Sequence, residues 1–166
     1  MASELHVDAI KHSGGTSAIT INSSGHVHSA GMIVQMQSTT TYSNISTSSS
    51  SLTASGLIVS ITPKFANSNI LIMLRGGNIN WGSAEHDHDV TLYRQLTGGS
   101  YSSLSKLSDI HSDSTYGVNH CSEVLDTSHN TTNQINYQTY FSATAGTAYH
   151  NFESCPLTLR AMEITQ

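Results

Sequence analysis

The chain has 166 residues, enough for one domain with a proper core plus a short extension, and only 10% of them are charged. An ordinary soluble domain carries roughly 25%; serine, threonine and asparagine take that place here, so hydroxyls and amides rather than ions wet the surface. Six basic against eleven acidic residues give a formal charge of −5, which argues against binding nucleic-acid phosphates, and there is no apolar run of the roughly eighteen residues a membrane-spanning helix needs.

The leading segment, MASELHVDAIKHSGG, lacks the basic start and apolar core of a secretory signal, so synthesis in a cytoplasm is expected. Within residues 1–30, Leu5-His6-Val7-Asp8-Ala9-Ile10 and Ala18-Ile19-Thr20-Ile21 alternate apolar and polar positions, with glycines following at Gly14-Gly15 and Gly25. Strands of about five residues bury little by themselves. Residues 1–30 are therefore expected to form an arm that trimerises about an axis or docks on another protein. The plainer reading is a loosely ordered terminus.

Residues 31–166 read as the head domain. Met32 to Gln37 is a strand running into Ser38-Thr39-Thr40-Thr41-Tyr42, and the serine-rich stretch 43–55 reads as a strand end plus a surface loop. The centre of the chain is GLIVSITPKFANSNILI, Gly56 to Ile72. Its first apolar run stops at Pro63, which has no amide proton for a sheet ladder. Asn67-Ser68-Asn69 then forms a turn, because short polar side chains bond nearby backbone, and Ile70 to Leu74 forms a second run. The expectation is two strands buried on both sides, against which the others are laid.

Arg75 to Gly82 extends the second strand through a glycine bulge. Val90 to Leu96 is a period-two strand ending at Gly98-Gly99, while Leu104, Leu107 and Ile110 recur every three residues and allow one helical turn. Val118–Val124, Gln134–Phe141, Ala148–Phe152 and Pro156–Ile164 read as further strands. About eight strands with short turns, and no amphipathic helix of ordinary length, give an all-β fold, an antiparallel β-sandwich of jelly-roll type. Cys121 and Cys155 lie in no C-x-x-C motif and are expected to be free thiols.

Ten histidines include two H-x-H pairs, His26/His28 and His86/His88. Residues two apart on a strand share a face, about 7 Å apart. Three chains about one axis would bring six imidazoles of His26 and His28 into an octahedral site for a transition-metal ion; the plainer reading is two exposed histidines in a polar turn. The run Glu85-His86-Asp87-His88-Asp89 offers five ligand-type residues, suited to calcium or zinc, or reads as a solvated loop opening the Val90 strand. At an exposed tip, Glu85, Asp87 and Asp89 could bind sugar hydroxyls while Trp81 stacks on a pyranose face. His111, Asp113, Ser114 and His120-Cys121 hold the residue types of a nucleophilic triad, but no G-x-S-x-G frame accompanies them, so no catalytic residues are assigned and the chain is expected not to be an enzyme.

SELHVDAIKHSGGTSAITINSSGHV resembles the start of tailed-phage virion proteins of the marine and cyanobacterial type. SITPKFANSNILI, VTLYRQ and the ending TLRAMEITQ are similar to strands of the C-terminal globular domain of phage tail fibres. The resemblance implies a head of the tumour-necrosis or complement type, three sandwiches around an axis, and a virion location. It further implies a homotrimeric tail fibre-type adhesin, docked to another virion protein through residues 1–30 and contacting a host cell-surface glycan or protein. The alternative is a capsid decoration protein, or head fibre, attached to the shell by the same arm.

Overall fold

The computed structural model describes residues 6–81, 86–112 and 117–166. The arm carries β1 (Ala9–Lys11), β2 (Ser17–Ile21) and β3 (Val27–His28), an antiparallel sheet of its own with β2 in the middle. The chain then runs through β4 (Ile33–Thr41), β5 (Ile45–Thr47), β6 (Thr53–Ile61), β7 (Asn69–Trp81), β8 (His86–Leu96) and β9 (Ser102–Ser112). It finishes with β10 (Val118–Asp126), β11 (Ile135–Ala143), β12 (Ala148–Asn151) and β13 (Leu157–Ile164), and no helix occurs among the described residues.

Two of these ribbons are broken strands. β13 lies between β4 and β7, and β12 between β5 and the far end of β7, so β4/β5 and β13/β12 each act as one bent strand. The first sheet is thus β4/β5, β13/β12, β7, β10, and the second is β6, β11, β8, β9. Two antiparallel sheets of four ribbons, closed face to face, form the jelly-roll sandwich expected from the strand count.

β6 and β7 are not partners, in contrast to the paired spine expected from sequence. β6 pairs with β11 in one sheet and β7 with β13 and β10 in the other. Nor is either strand buried on both sides: Leu57, Val59 and Ile61 point inward and alternate with exposed Ile58 and Ser60, and Ile70, Ile72 and Leu74 alternate with half-buried Leu71 and Met73. These six side chains meet Val90, Leu92, Ile135, Tyr137, Phe141, Leu157 and Leu159 in one core. Each such side chain contributes about 1.5–3 kcal/mol by leaving water.

The period-three spacing of Leu104 and Leu107 belongs to a strand, not a helical turn. The β8 partners Val90 and Thr91 face Ser108 and Lys106, skipping Leu107, and Leu92 and Tyr93 face Ser105 and Ser103, skipping Leu104. Two bulges therefore bring both leucines against the core from a strand that is otherwise polar except at Ile110. The glycine bulge in β7 is present as expected: Gly76 and Gly77 have φ of +81° and +66°, the register against β10 shifts there, and Gly77 N–H donates to Pro156 O at 2.8 Å. Both cysteines are free, as expected.

The corner between the two sheets, residues 62–68, is tied to the last strand by one carboxylate. Fully buried Glu163 accepts from Lys64 N–H at 2.9 Å, Phe65 N–H at 2.9 Å, Ser68 Oγ at 2.8 Å and Gln35 Nε2 at 2.6 Å. Glu163→Gln keeps the shape but sets an NH2 group among four donors, and is expected to lower stability by about 2 kcal/mol or more in urea unfolding. Gly76→Ala is expected to cost about 2–4 kcal/mol in the same measurement, because a Cβ there overlaps the Pro156 carbonyl and sits at a left-handed φ.

Candidate functional site

Strand register fixes what gathers at each end of the sandwich. At one end Ile164 faces Asn69 and Ile33, Ile135 faces Ile61 and Leu96, and Asp126 faces Ile70. The arm enters here: Gly31 N–H donates to Thr165 O at 2.9 Å, Thr165 N–H to Met32 O at 3.0 Å, and the Thr165 hydroxyl to Ser29 O. His26 sets its ring edge-on to Phe65 with centroids 6.2 Å apart. At the opposite end Ala148 faces Trp81, His86 faces Ser112, and Ala143 faces His88. Asp87 N–H donates to Thr144 Oγ1 at 2.8 Å, Thr144 N–H returns a bond to Asp87 O at 3.2 Å, and Ala143 N–H donates to Ser49 O at 2.9 Å. The arm and this far end are therefore separated by the length of the strands.

Beneath the far end lies a layer of imidazoles. His88 from β8, His120 from β10 and His150 from β12 all point inward, in phase with the apolar core positions of their strands. Their ring centroids are 4.5 Å apart for His120–His150, 5.9 Å for His88–His150 and 6.3 Å for His88–His120. Phe141 from β11 stacks on His150 at 5.0 Å and tilts against His88 at 5.7 Å. His120 Nε2–H donates to His150 O at 3.1 Å, His150 Nε2 bonds Thr139 Oγ1 at 3.0 Å, and Thr139 bonds Ser55 Oγ at 2.8 Å. His150 Nδ1 has no hydrogen-bond partner among the described residues.

Burial sets the charge state of this layer. Desolvation, reinforced by His120, brings His88 down to about 3. Desolvation also brings His120 down to about 4, although its bond to the His150 carbonyl acts the other way. His150 is held well below the ordinary histidine value by desolvation, then by His120 and His88. All three are neutral at pH 7. A neutral imidazole bonded to a hydroxyl resembles half of a nucleophilic relay, but Thr139 and His150 are fully buried and no substrate atom can reach them.

Strand alternation divides the Glu85–Asp89 run. His88 faces the core, whereas Asp89 points outward and pairs with Lys106 at 2.8 Å, which also holds Asp109 at 2.7 Å. Asp87 and His88 are adjacent on one strand and face opposite sides. Among the described residues no group of three or more His, Cys, Asp or Glu is placed to hold a metal ion. Far from opening as a solvated loop, the run enters β8 at His86. Glu85 lies outside the described residues, as do the side chains of Trp81, His86 and His28. His26 takes a contact from Asn22 Nδ2 at 3.4 Å in the arm. Of the triad-type residues, His120 is in the core and Cys121 on the exterior, while Asp113, Ser114 and the His111 side chain lie outside the description.

The convergence of His88, His120 and His150 was not anticipated from sequence. A signal for it existed: His88 shares the phase of Val90 and Leu92, His120 that of Val124, and His150 that of Ala148. Only pairing across sheets brings the three together.

No family model and no curated protein sequence matches the chain. Chains in solved structures of infectious bursal disease virus align with this chain at low identity. A chain of the T13 IBDV viral particle aligns with TM-score 0.45 and 13% identity over 84% of this chain and 38% of its own length. A chain of the Gx strain aligns with TM-score 0.43 and 12% identity over 96% of this chain and 42% of its own. This chain thus spans about two fifths of the length of those chains.

The imidazole layer makes stability depend on acid in a defined window. The folded state favours neutral rings, so the unfolded chain binds more protons once pH falls below about 6.5, its ordinary histidine value. The histidine contribution is complete above that pH and is lost as pH falls towards about 4 and then about 3. The expected slope is about 1.4 kcal/mol per pH unit for each histidine. Melting temperatures between pH 7 and pH 4 should fall steeply in the natural sequence and less steeply in His88→Leu.

Proposed function

We propose that the chain is a non-enzymatic virion surface protein of tail fibre type, a homotrimer that docks by residues 1–30 and offers the far end of its head to a host cell-surface glycan or protein. The observation that carries this reading is the polarity of the head. The arm and its clamp on Thr165 sit at one end, and the strand ends around Trp81, His86, Ala143 and Ala148 sit at the other. An adhesin needs this separation, because the docked end is occupied by the particle. The sequence resemblance of the arm, the spine and the last strand to phage virion proteins points the same way.

Self-association has a surface to use. Across the outer face of the first sheet, Met36, Met162, Leu71 and Leu125 stand opposite one another in one row. Met36 is 52% and Leu125 48% exposed, and Ile33 beside them is 55% exposed. A contiguous apolar row of this kind on a chain so rich in polar residues is a contact surface. Trp81 and Asp87 belong to the far end and, with Glu85, are the residues proposed to meet the host surface. Asp89 is also proposed, its Lys106 ion pair being exposed and therefore worth little.

Light scattering of the full chain is expected to give the mass of a trimer. Removal of residues 1–30 is expected to abolish incorporation into particles while leaving a folded head that still binds host cells. An antibody against the head should label tails; label at high copy number on emptied heads, with no cell binding by the free head, would instead make it a decoration protein.

A further inference from the structure

The six basic residues of the chain are unevenly employed. Arg94 is bonded to buried Asp126 at 2.7 Å and Lys106 to Asp89 and Asp109. Lys11 is in the arm and Lys64 in the corner at residues 62–68. The remaining two, Arg75 and Arg160, stand on neighbouring strands of the first sheet. Arg75 is opposite Thr158 and Arg160 opposite Met73, which makes the arginines diagonal neighbours on the outer face, about 7–8 Å apart at their bases. Among the described residues neither has a carboxylate within ion-pair distance. Glu123 faces Met73 from the next strand without closing such a pair.

Between these side chains is a cavity of about 120 Å³ lined by Met73, Arg75, Thr158 and Arg160. At about 30 Å³ per water molecule, that is room for a few waters or for one small anionic group. Arg160 Nε is buried in its wall and has no hydrogen-bond partner among the described residues. Two like charges held diagonally, with an unused donor between strands, form an arrangement that an anion relieves.

We propose that Arg75 and Arg160 form a binding site for one sulfate or carboxylate group of an acidic polysaccharide. Two guanidinium forks suit the flat or tetrahedral oxygen sets of these groups. The surroundings are hydroxyls, since Thr158 bonds Thr40 at 2.8 Å and Ser38 faces Arg160. Sugar hydroxyls flanking the acidic group can exchange bonds with them. Beside the apolar row, this margin of the sheet face leaves room for a polymer to lie along it. The choice of a polysaccharide rests on the adhesion reading above; the anion chemistry rests on the arginines alone.

The test is titration of the full chain with dextran sulfate, polygalacturonate and uncharged dextran at low salt. Binding of at least one acidic polymer and not of dextran is expected, weakening as salt is raised. Arg75→Ala and Arg160→Ala, with melting temperatures checked, should each lose about tenfold or more in affinity, and Arg160→Lys should lose less than Arg160→Ala. Arg75 is exposed, so its variant remains informative should the Arg160 variants fold poorly. Equal binding of dextran, no binding of either acidic polymer, or unchanged affinity in Arg75→Ala overturns the site. Binding of an acidic polymer by a chain that does not bind host cells would instead sink the adhesion reading and leave the site standing.

Discussion

The fold depends on how the chain crosses from one sheet to the other after β6. A strand that ends at a proline has exhausted its ladder, and the five or so residues that follow must turn through the thickness of the sandwich with several backbone amides uncovered. Glu163 supplies what they need. It lies on β13, at the middle of the first sheet, so the same carboxylate that caps Lys64, Phe65 and Ser68 also fixes the corner relative to β7 and, through Gln35, to β4. A carboxylate buried this completely is stable only with its lone pairs filled. Four donor groups fill them, and removing any one leaves the others facing a charge with less to hold it.

The corner also decides where the arm can be. Met32 and Thr165 bond each other beside Glu163, so the entering and final segments are locked in register at the arm end. Asp126 strengthens that end from the opposite edge of the first sheet. Burial alone would raise its carboxyl, but the Arg94 guanidinium, the Ser128 amide and the Tyr137 hydroxyl outweigh that and hold it below the usual range. Two buried carboxylates, each surrounded by donors, thus stand at the arm end, whereas the far end is lined by neutral imidazoles. The arm end is held by charged groups and the far end by uncharged rings.

Much of the fold was legible because alternation in strands is a strong signal. Leu57, Val59 and Ile61, or Leu157, Leu159 and Ala161, announce their face directly. The error about the spine has a physical cause: Ile58 and Leu71 are apolar but outward, so a run of apolar letters imitated burial on both sides where one face is only half covered. Leu104 and Leu107 misled for another reason. Each sits at a bulge, and a bulge shifts the phase of a strand by one residue, which mimics a helical period over a short window. The histidine layer could not be read at all from neighbours in sequence, since its members come from β8, β10 and β12 of two different sheets.

The low charge of the chain gives the outer sheet faces their meaning. On a surface with a quarter of its residues charged, two arginines without carboxylate partners would be unremarkable, and an apolar row would be interrupted by lysine or glutamate. Here hydroxyls and amides cover most of the exterior, so each departure from that texture stands on its own. The row Met36, Met162, Leu71, Leu125 crosses all four ribbons of the first sheet, and on the two inner ones Arg160 lies two residues from Met162 and Arg75 four residues from Leu71. If copies associate through the apolar row, the arginines of each copy are brought to the margin of the contact, where an acidic polymer could run from one copy to the next. Weak single sites repeated around an axis then add through effective concentration rather than through better contacts.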